Sequence, residues 1–398
     1  MHVPFLSNTK IGRGKFVVLV DVGSGSVAGG VEHMRHGRQS SQLIVTQRIA
    51  LTEEERDAAQ RRAGLIRNME QVLQGVLKSY ERGSGTSGYG ALQDVHVIVH
   101  APWVSSRSRT AEARLKQPTK ITGRLITEVA QRAIEHTTQE NMPQGMRQLE
   151  KSVIRVELNG YPVSQPEGKE AEHIRITVLE SFIDEKLHRT IIDTLGRLLP
   201  GRKPDVRSSV FTTHFVLREM AREIEDYTVL DITGEASSLT TVRAGAVSEH
   251  GIIPIGSRLI VQQVAKKMGM QADEVLGIIK MMMDDACEKE LCAKVSSALK
   301  EIEPSLVKTF GETFSSHSSG KRLPNVLVLS VRPELAPWAM NFFTKLDFSQ
   351  FTVTGRPFAP QKFSAGAFTA YAAVGASASP DSGLSLAGAF VHIYSQNK

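Results

Sequence analysis

Phe16-Val-Val-Leu-Val-Asp21-Val-Gly-Ser-Gly-Ser26 has a counterpart far along the chain, Tyr227-Thr-Val-Leu-Asp231-Ile-Thr-Gly-Glu-Ala-Ser-Ser238. Each is a short apolar run that ends in aspartate and breaks into small residues. Runs of this length bounded by turn residues read as buried strands. Paired strand-like segments follow both. Val27 to Met34 and Leu43 to Ile49 flank the polar stretch Arg35 to Ser41. Leu239 to Arg243 and Ala246 to Ile253 flank Ala244-Gly245. Later strands are expected at Val95 to Val99 and at Val326 to Ser330. The unit of strand, aspartate, Gly/Ser turn and hairpin therefore occurs twice, Asp231 repeating Asp21 after 210 positions. Such repetition implies two related halves.

Gly/Ser turns after a strand offer backbone N–H groups and hydroxyls to phosphate oxygens. Without bulky side chains a phosphate can approach closely, and a carboxylate beside it can hold magnesium. A single Asp-Val-Gly-Ser-Gly serves equally well as a tight hairpin turn. Two in equivalent places can face one another across a cleft, which favours the ligand reading. Gly23-x-Gly25-x-x-Ala28 also matches a dinucleotide fingerprint. However, Gly29-Gly30-Val31 continues into a strand where that fingerprint opens a helix, and no acidic residue ends the next strand. No Gly-x4-Gly-Lys-Ser/Thr occurs, so a P-loop is excluded.

The chain has 398 residues, 41% hydrophobic and 23% charged, which excludes a largely disordered chain or a coiled-coil rod and suggests more than one lobe. Its charge of +6 fits a nucleotide, an acidic partner or an anionic membrane and selects none of them. Cys287 and Cys292 read as packing thiols on a helix, in keeping with a reducing compartment. No secretory signal or spanning segment is visible. The scattered histidines lack zinc-ligand spacing. Met281-Met-Met283 reads as helix packing. A helix is expected from the capping box at Thr52 and Glu55, with Leu65, Met69, Val72, Leu73, Val76 and Tyr80 inward. Gly83 to Gly90 reads as a flexible connection. Arg107, Arg109, Arg114, Lys116 and Lys120 form a basic run that reads first as a solvated loop and alternatively as a dock for an acidic partner. No aromatic interleaving supports nucleic-acid binding. The end of the chain, with Lys398 its only cation, lacks the cationic face of an amphipathic membrane anchor and reads as a short strand or a disordered end.

Together these residues resemble the actin-like ATPase superfamily, and within it the FtsA cell-division and PilM pilus-assembly branch. Asp21-Val-Gly-Ser-Gly-Ser26 is similar to the family's first phosphate loop and Asp231 to Ser238 to its second. Ala244 to Gly256 is similar to its hairpin ending in Pro-x-Gly. Ala272-Asp-Glu-Val-Leu276 resembles its helix near the adenosine, and Phe363 to Gly375 its late connecting helix. Ile121-Thr122 before an amphipathic helix, and Leu158-Asn-Gly-Tyr161, resemble the 1C subdomain of this branch. The chain departs from the family pattern in three places. Val331 and Arg332 stand where its adenosine turn is glycine-rich. Leu276 replaces a usual lysine. Glu235 adds a carboxylate among the phosphate contacts.

The resemblance implies an α/β, duplicated, ribonuclease H-like, actin-like two-lobed fold. It divides the chain into a disordered 1–15, first-lobe segments at 16–100 and 183–225, a 1C-like insert at 101–182, a second lobe at 226–363, a connecting helix at 364–376 and a tail at 377–398. It implies ATP and magnesium between the lobes, held by Asp21, Gly23, Ser24, Gly25, Ser26, Asp231, Gly234 and Ser237, with Asp21 and Asp231 on the metal. No residue is placed as a catalytic base. The expected function is a cytoplasmic scaffold of a membrane-associated assembly, in cell division or a type IV pilus, with weak or no ATP hydrolysis. It would act by self-polymerisation or by docking a protein at the inner membrane or division site, with no integral membrane segment and no nucleic acid. An active ATPase and a nucleotide-free interaction module are the alternatives.

Overall fold

The computed structural model describes residues 14–35, 40–57, 59–83, 90–135, 142–284, 286–317 and 321–396. The expectations of a disordered start and of a flexible connection after Gly83 fall almost wholly outside these residues.

The first half opens with three antiparallel strands, β1 (Lys15–Val22), β2 (Ser26–Met34) and β3 (Ser41–Ala50). The capping box forms, with Thr52 N–H donating to Glu55 Oε2 at 3.0 Å, but it closes only a 3-10 turn at Glu54–Arg56. The helix α1 (Arg61–Gly83) starts later and buries the expected face. Next comes β4 (Leu92–Val99), parallel to β1.

The chain then leaves this sheet for a small subdomain: β5 (Val104–Lys120), α2 (Gly123–Ile134), β6 (Met146–Leu158), β7 (Tyr161–Pro162) and β8 (Glu170–Asp184). Its sheet runs β5-β8-β6-β7. Thr122 caps α2 by accepting from Leu125 N–H at 3.2 Å. Ile121 and Val129 pack with Ile174, Ile176 and Val178 beneath that helix. The chain returns through α3 (Glu185–Leu198), β9 (Pro204–Ser208) and α4 (Ser209–Met220).

The second half repeats the first. Strands β10 (Tyr227–Ile232), β11 (Ser237–Arg243) and β12 (Ala246–Ile253) form an antiparallel meander. Helices α5 (Ser257–Met268), α6 (Ala272–Met283) and α7 (Lys289–His317) follow. The chain continues through β13 (Val326–Val331), α8 (Ala336–Phe342), β14 (Ala359–Lys362), β15 (Ala372–Val374) and α9 (Ser382–Gln396). The sheets run β15-β3-β2-β1-β4-β9 and β12-β11-β10-β13-β14. Apart from the added β15, strand order and direction match. β1 and β10 sit centrally in each, which explains their unbroken apolar runs.

Four readings of the sequence are corrected. The basic run is not a loop: Arg107, Arg109, Arg114, Lys116 and Lys120 lie on β5, antiparallel to β8. Its alternation is carried by Ala111, Ala113 and Leu115, too small a set to announce a strand. The segment at 364–376 is not a helix but a 3-10 turn, Ala365–Phe368, followed by β15. The chain end is neither a strand nor an irregular tail: α9 is buried from Leu384 to Ile393 against β1, β2, β3 and α4. A helix apolar on every side shows no periodicity to read. Cys287 and Cys292 are joined as a disulfide across the α6–α7 junction, rather than standing as separate packing thiols.

Candidate functional site

β1, β4 and β10 all end at the boundary between the two halves. Ligands of open α/β sheets gather at such carboxyl ends. Asp21 and Asp231 occupy matching positions, next to Ile98 on β4 and Ser330 on β13 respectively. His100 follows β4 directly, its backbone N–H donating to Val22 O at 3.0 Å.

The imidazole of His100 lies between the two carboxylates. Nε2 is 2.7 Å from Asp21 Oδ1 and Nδ1 is 2.7 Å from Asp231 Oδ2. Only the imidazolium can donate from both nitrogens. Burial alone would pull its pKa down, but the charges of Asp21 and Asp231 outweigh this and push it up to about 10. The second oxygen of Asp21 accepts from Arg48 Nη2 at 2.6 Å, and Arg48 Nε donates to Asp381 Oδ2 at 2.6 Å. Burial pushes the Asp21 carboxyl up, yet His100 and Arg48 together hold it well below the usual carboxylate range. Asp381 in turn caps α9, accepting from Leu384 N–H at 2.9 Å.

The two Gly/Ser turns touch. A Cβ added to Gly234 would lie 2.7 Å from Gly25 Cα, so backbone rests on backbone. Ser24 Oγ accepts from Glu235 N–H at 2.8 Å and lies 2.5 Å from Thr233 Oγ1. The hydroxyl of Thr233 can then donate to Ala236 O, 2.8 Å away. The first N–H groups of α5 are taken as well: Ser257 N–H donates to Thr233 O at 2.8 Å and Arg258 N–H to Gly234 O at 3.0 Å. A helix start that could face an anion is thus filled by the turn itself.

Glu235 sits among three guanidinium groups. Its Oε1 is 3.2 Å from Arg56 Nη1, and its Oε2 is 3.5 Å from Arg61 Nη2 and 3.4 Å from Arg258 Nη1. Arg56 and Arg61 come from the first lobe, Arg258 from α5. Glu53 closes the group, 2.6 Å from Arg258 Nη2. Beyond it, a cavity of about 240 Å³ is lined by Glu53, Gln262, Lys266, Met270, Gln271 and Asp273.

Of the residues expected to hold a nucleotide, Asp21, Ser24, Gly25, Asp231 and Gly234 meet at this boundary. Gly23 shapes the first turn, its N–H donating to Ser26 O at 3.0 Å. Two hydroxyls are engaged elsewhere: Ser26 Oγ accepts from Arg48 at 2.8 Å, and Ser237 Oγ donates to Ile255 O. The residues present do not fit magnesium and a phosphate chain in this arrangement. The turns leave no gap between them, and each aspartate is already bonded to His100. Among the described residues no group of three or more His, Cys, Asp and Glu side chains is arranged to hold a metal ion. At the expected adenosine turn, Val331 is buried in the second-lobe core and Arg332 Nε pairs with Glu334 Oε2 at 3.0 Å.

The sequence reading missed His100, Arg48, Asp381 and the arginines around Glu235. His100 left one signal, a polar residue closing the strand that neighbours β1. The others come from segments distant in the chain and left none.

No family model and no curated protein matches the chain. Solved structures do. The PilM-PilN type IV pilus biogenesis complex is similar at TM-score 0.56 with 14% identity, over 95% of this chain and 98% of that one. The ethanolamine utilization protein EutJ from Carboxydothermus hydrogenoformans is more distant, at TM-score 0.42 and 10% identity over 87% of this chain and 84% of that one. Component A of (R)-2-hydroxyglutaryl-CoA dehydratase from Acidaminococcus fermentans reaches TM-score 0.40 and 8% identity over 96% and 100%. Likeness at these identities is likeness of fold, and the duplicated sheets show the actin-like fold that the two matching motifs implied.

Proposed function

We propose that this chain, which has the actin-like fold with a small subdomain inserted after β4, is a protein-binding adaptor of a type IV pilus-like assembly. It works with its lobes closed by its own side chains, without nucleotide turnover. The likeness to a PilM-PilN complex over nearly the full length of both chains supports the adaptor reading. Among the described residues no helix is long and apolar enough to cross a membrane.

The observation that carries the nucleotide-free reading is His100 between Asp21 and Asp231. In the ATPase reading a divalent cation would neutralise those carboxylates. Here an imidazolium supplies the positive charge and also spans the boundary, one nitrogen to each lobe. Arg48 carries the same network on to Asp381 and hence to the start of α9. The network orients the turns and holds them together.

Two measurements test the proposal. Calorimetric titration of the full chain with Mg-ATP should give no saturable heat, and micromolar binding would overturn the nucleotide-free part. Co-expression with inner-membrane pilus-assembly proteins should yield a stable complex with one of them. Failure with all of them, together with normal piliation after deletion of the chain, would overturn the adaptor part.

A further inference from the structure

The closed network leaves one cluster unexplained. Arg56, Arg61 and Arg258 converge on Glu235, and the cluster does not pair off evenly. With Glu53 included there are three guanidinium groups and two carboxylates. The Glu235 contacts, at 3.2, 3.5 and 3.4 Å, are longer than the roughly 2.7–2.9 Å of a tight guanidinium–carboxylate pair. A carboxylate has only two oxygens to share among the three donors. A tetrahedral oxyanion has four, and guanidinium forks match it well.

We propose that Arg56, Arg61 and Arg258 form an oxyanion site across the lobe boundary whose resident occupant is the chain's own Glu235 carboxylate, and that inorganic phosphate takes its place when that carboxylate is withdrawn. This rests on the closed-cleft reading and adds a ligand class to it. The backbone supports the assignment. Glu235 N–H is tied to Ser24 Oγ across the boundary, and the residue beside it, Gly234, abuts Gly25, so its side chain is delivered to the arginines from a fixed base. The tethered carboxylate is an internal ligand, and it loses no translational freedom on binding.

The test compares full-length wild type with Glu235→Ala and Glu235→Gln by thermal melting, in phosphate and in chloride at equal ionic strength. Both variants should melt several degrees lower in chloride. Phosphate should raise their Tm in a saturable way, with an apparent Kd at least tenfold lower than for wild type. Adding Arg258→Ala to Glu235→Ala should weaken that response by a further tenfold or more. An equal effect of phosphate and chloride, or an unchanged response in the double variant, would overturn the site. If neither single variant folds in chloride, folding recovered only in phosphate supports it and folding recovered in neither buffer counts against it. These outcomes are separable from the proposed function. Mg-ATP binding to wild type would sink the nucleotide-free reading on its own, and a missing phosphate response would sink only the oxyanion site.

Discussion

His100 holds a carboxylate on each ring nitrogen, and its pKa of about 10 fixes how the protein should respond to pH. The unfolded imidazole has lost its proton above about 6.5. The stability it contributes is therefore full below that pH and is lost as pH rises toward 10. His100→Gln should remove this slope in urea-unfolding measurements across pH 8–10. His100→Ala leaves two facing carboxylates without their cation and should cost about 3–5 kcal/mol. Glu32 gives a second, separable slope. It is buried on β2 beside Gly388, and burial pushes its carboxyl up to about 8, with the Ser41 hydroxyl pulling weakly the other way. The folded state keeps this proton where the unfolded chain has lost it, so the stability that Glu32 contributes should fall as pH climbs from about 4.5 to 8. The stability difference between wild type and Glu32→Gln should therefore change steadily across that window and level off above it, and a difference that stays constant with pH would exclude Glu32 as a source.

At the scale of elements, legibility followed periodicity. β1 and β10 were readable because central strands bury every residue and end in recognisable turns. α1 was readable because its apolar face recurs at helical spacing. α9 was not, since Leu384, Leu386, Ala387, Phe390, Val391 and Ile393 are all buried and the helix has no polar side to define a face. β5 escaped because the inward positions of its basic stretch are only Ala111, Ala113 and Leu115. For the site, the two aspartates and the glycine turns were legible as a repeat, whereas the residues that neutralise them lie on other segments. The second-lobe core offers a direct check of packing. Phe314 is fully buried with Phe343, Phe348, Phe351 and Phe358 around it at ring distances of 5.7–6.5 Å. Phe314→Ala should destabilise by about 3–5 kcal/mol in chemical denaturation. Gly234→Ala places a methyl group against Gly25 backbone, which has no side chain to swing aside. It should cost about 1–3 kcal/mol or force the turns apart.

On the scale of the whole molecule, the lobes share an apolar cluster, in which Phe211 and Val216 of α4 lie with Tyr227, Val229 and Val242, and they are also joined at two polar contacts. One is the charged boundary around His100 and Glu235. The other is the inserted subdomain, where Ser108 Oγ on β5 donates to Val247 O on β12 at 2.5 Å. A body fastened at both places has little freedom to close further around a ligand, so small-angle scattering of the full chain should be the same with and without Mg-ATP. Compaction on adding nucleotide would show that the lobes are hinged. The charge state of His100 reports most directly on what holds them. ¹⁵N NMR of histidine-labelled protein at pH 8 should show both ring nitrogens of His100 protonated, with no change when Mg-ATP is added. A neutral imidazole, or a His100 signal that moves on titration with Mg-ATP, would contradict a boundary closed by the chain's own charges.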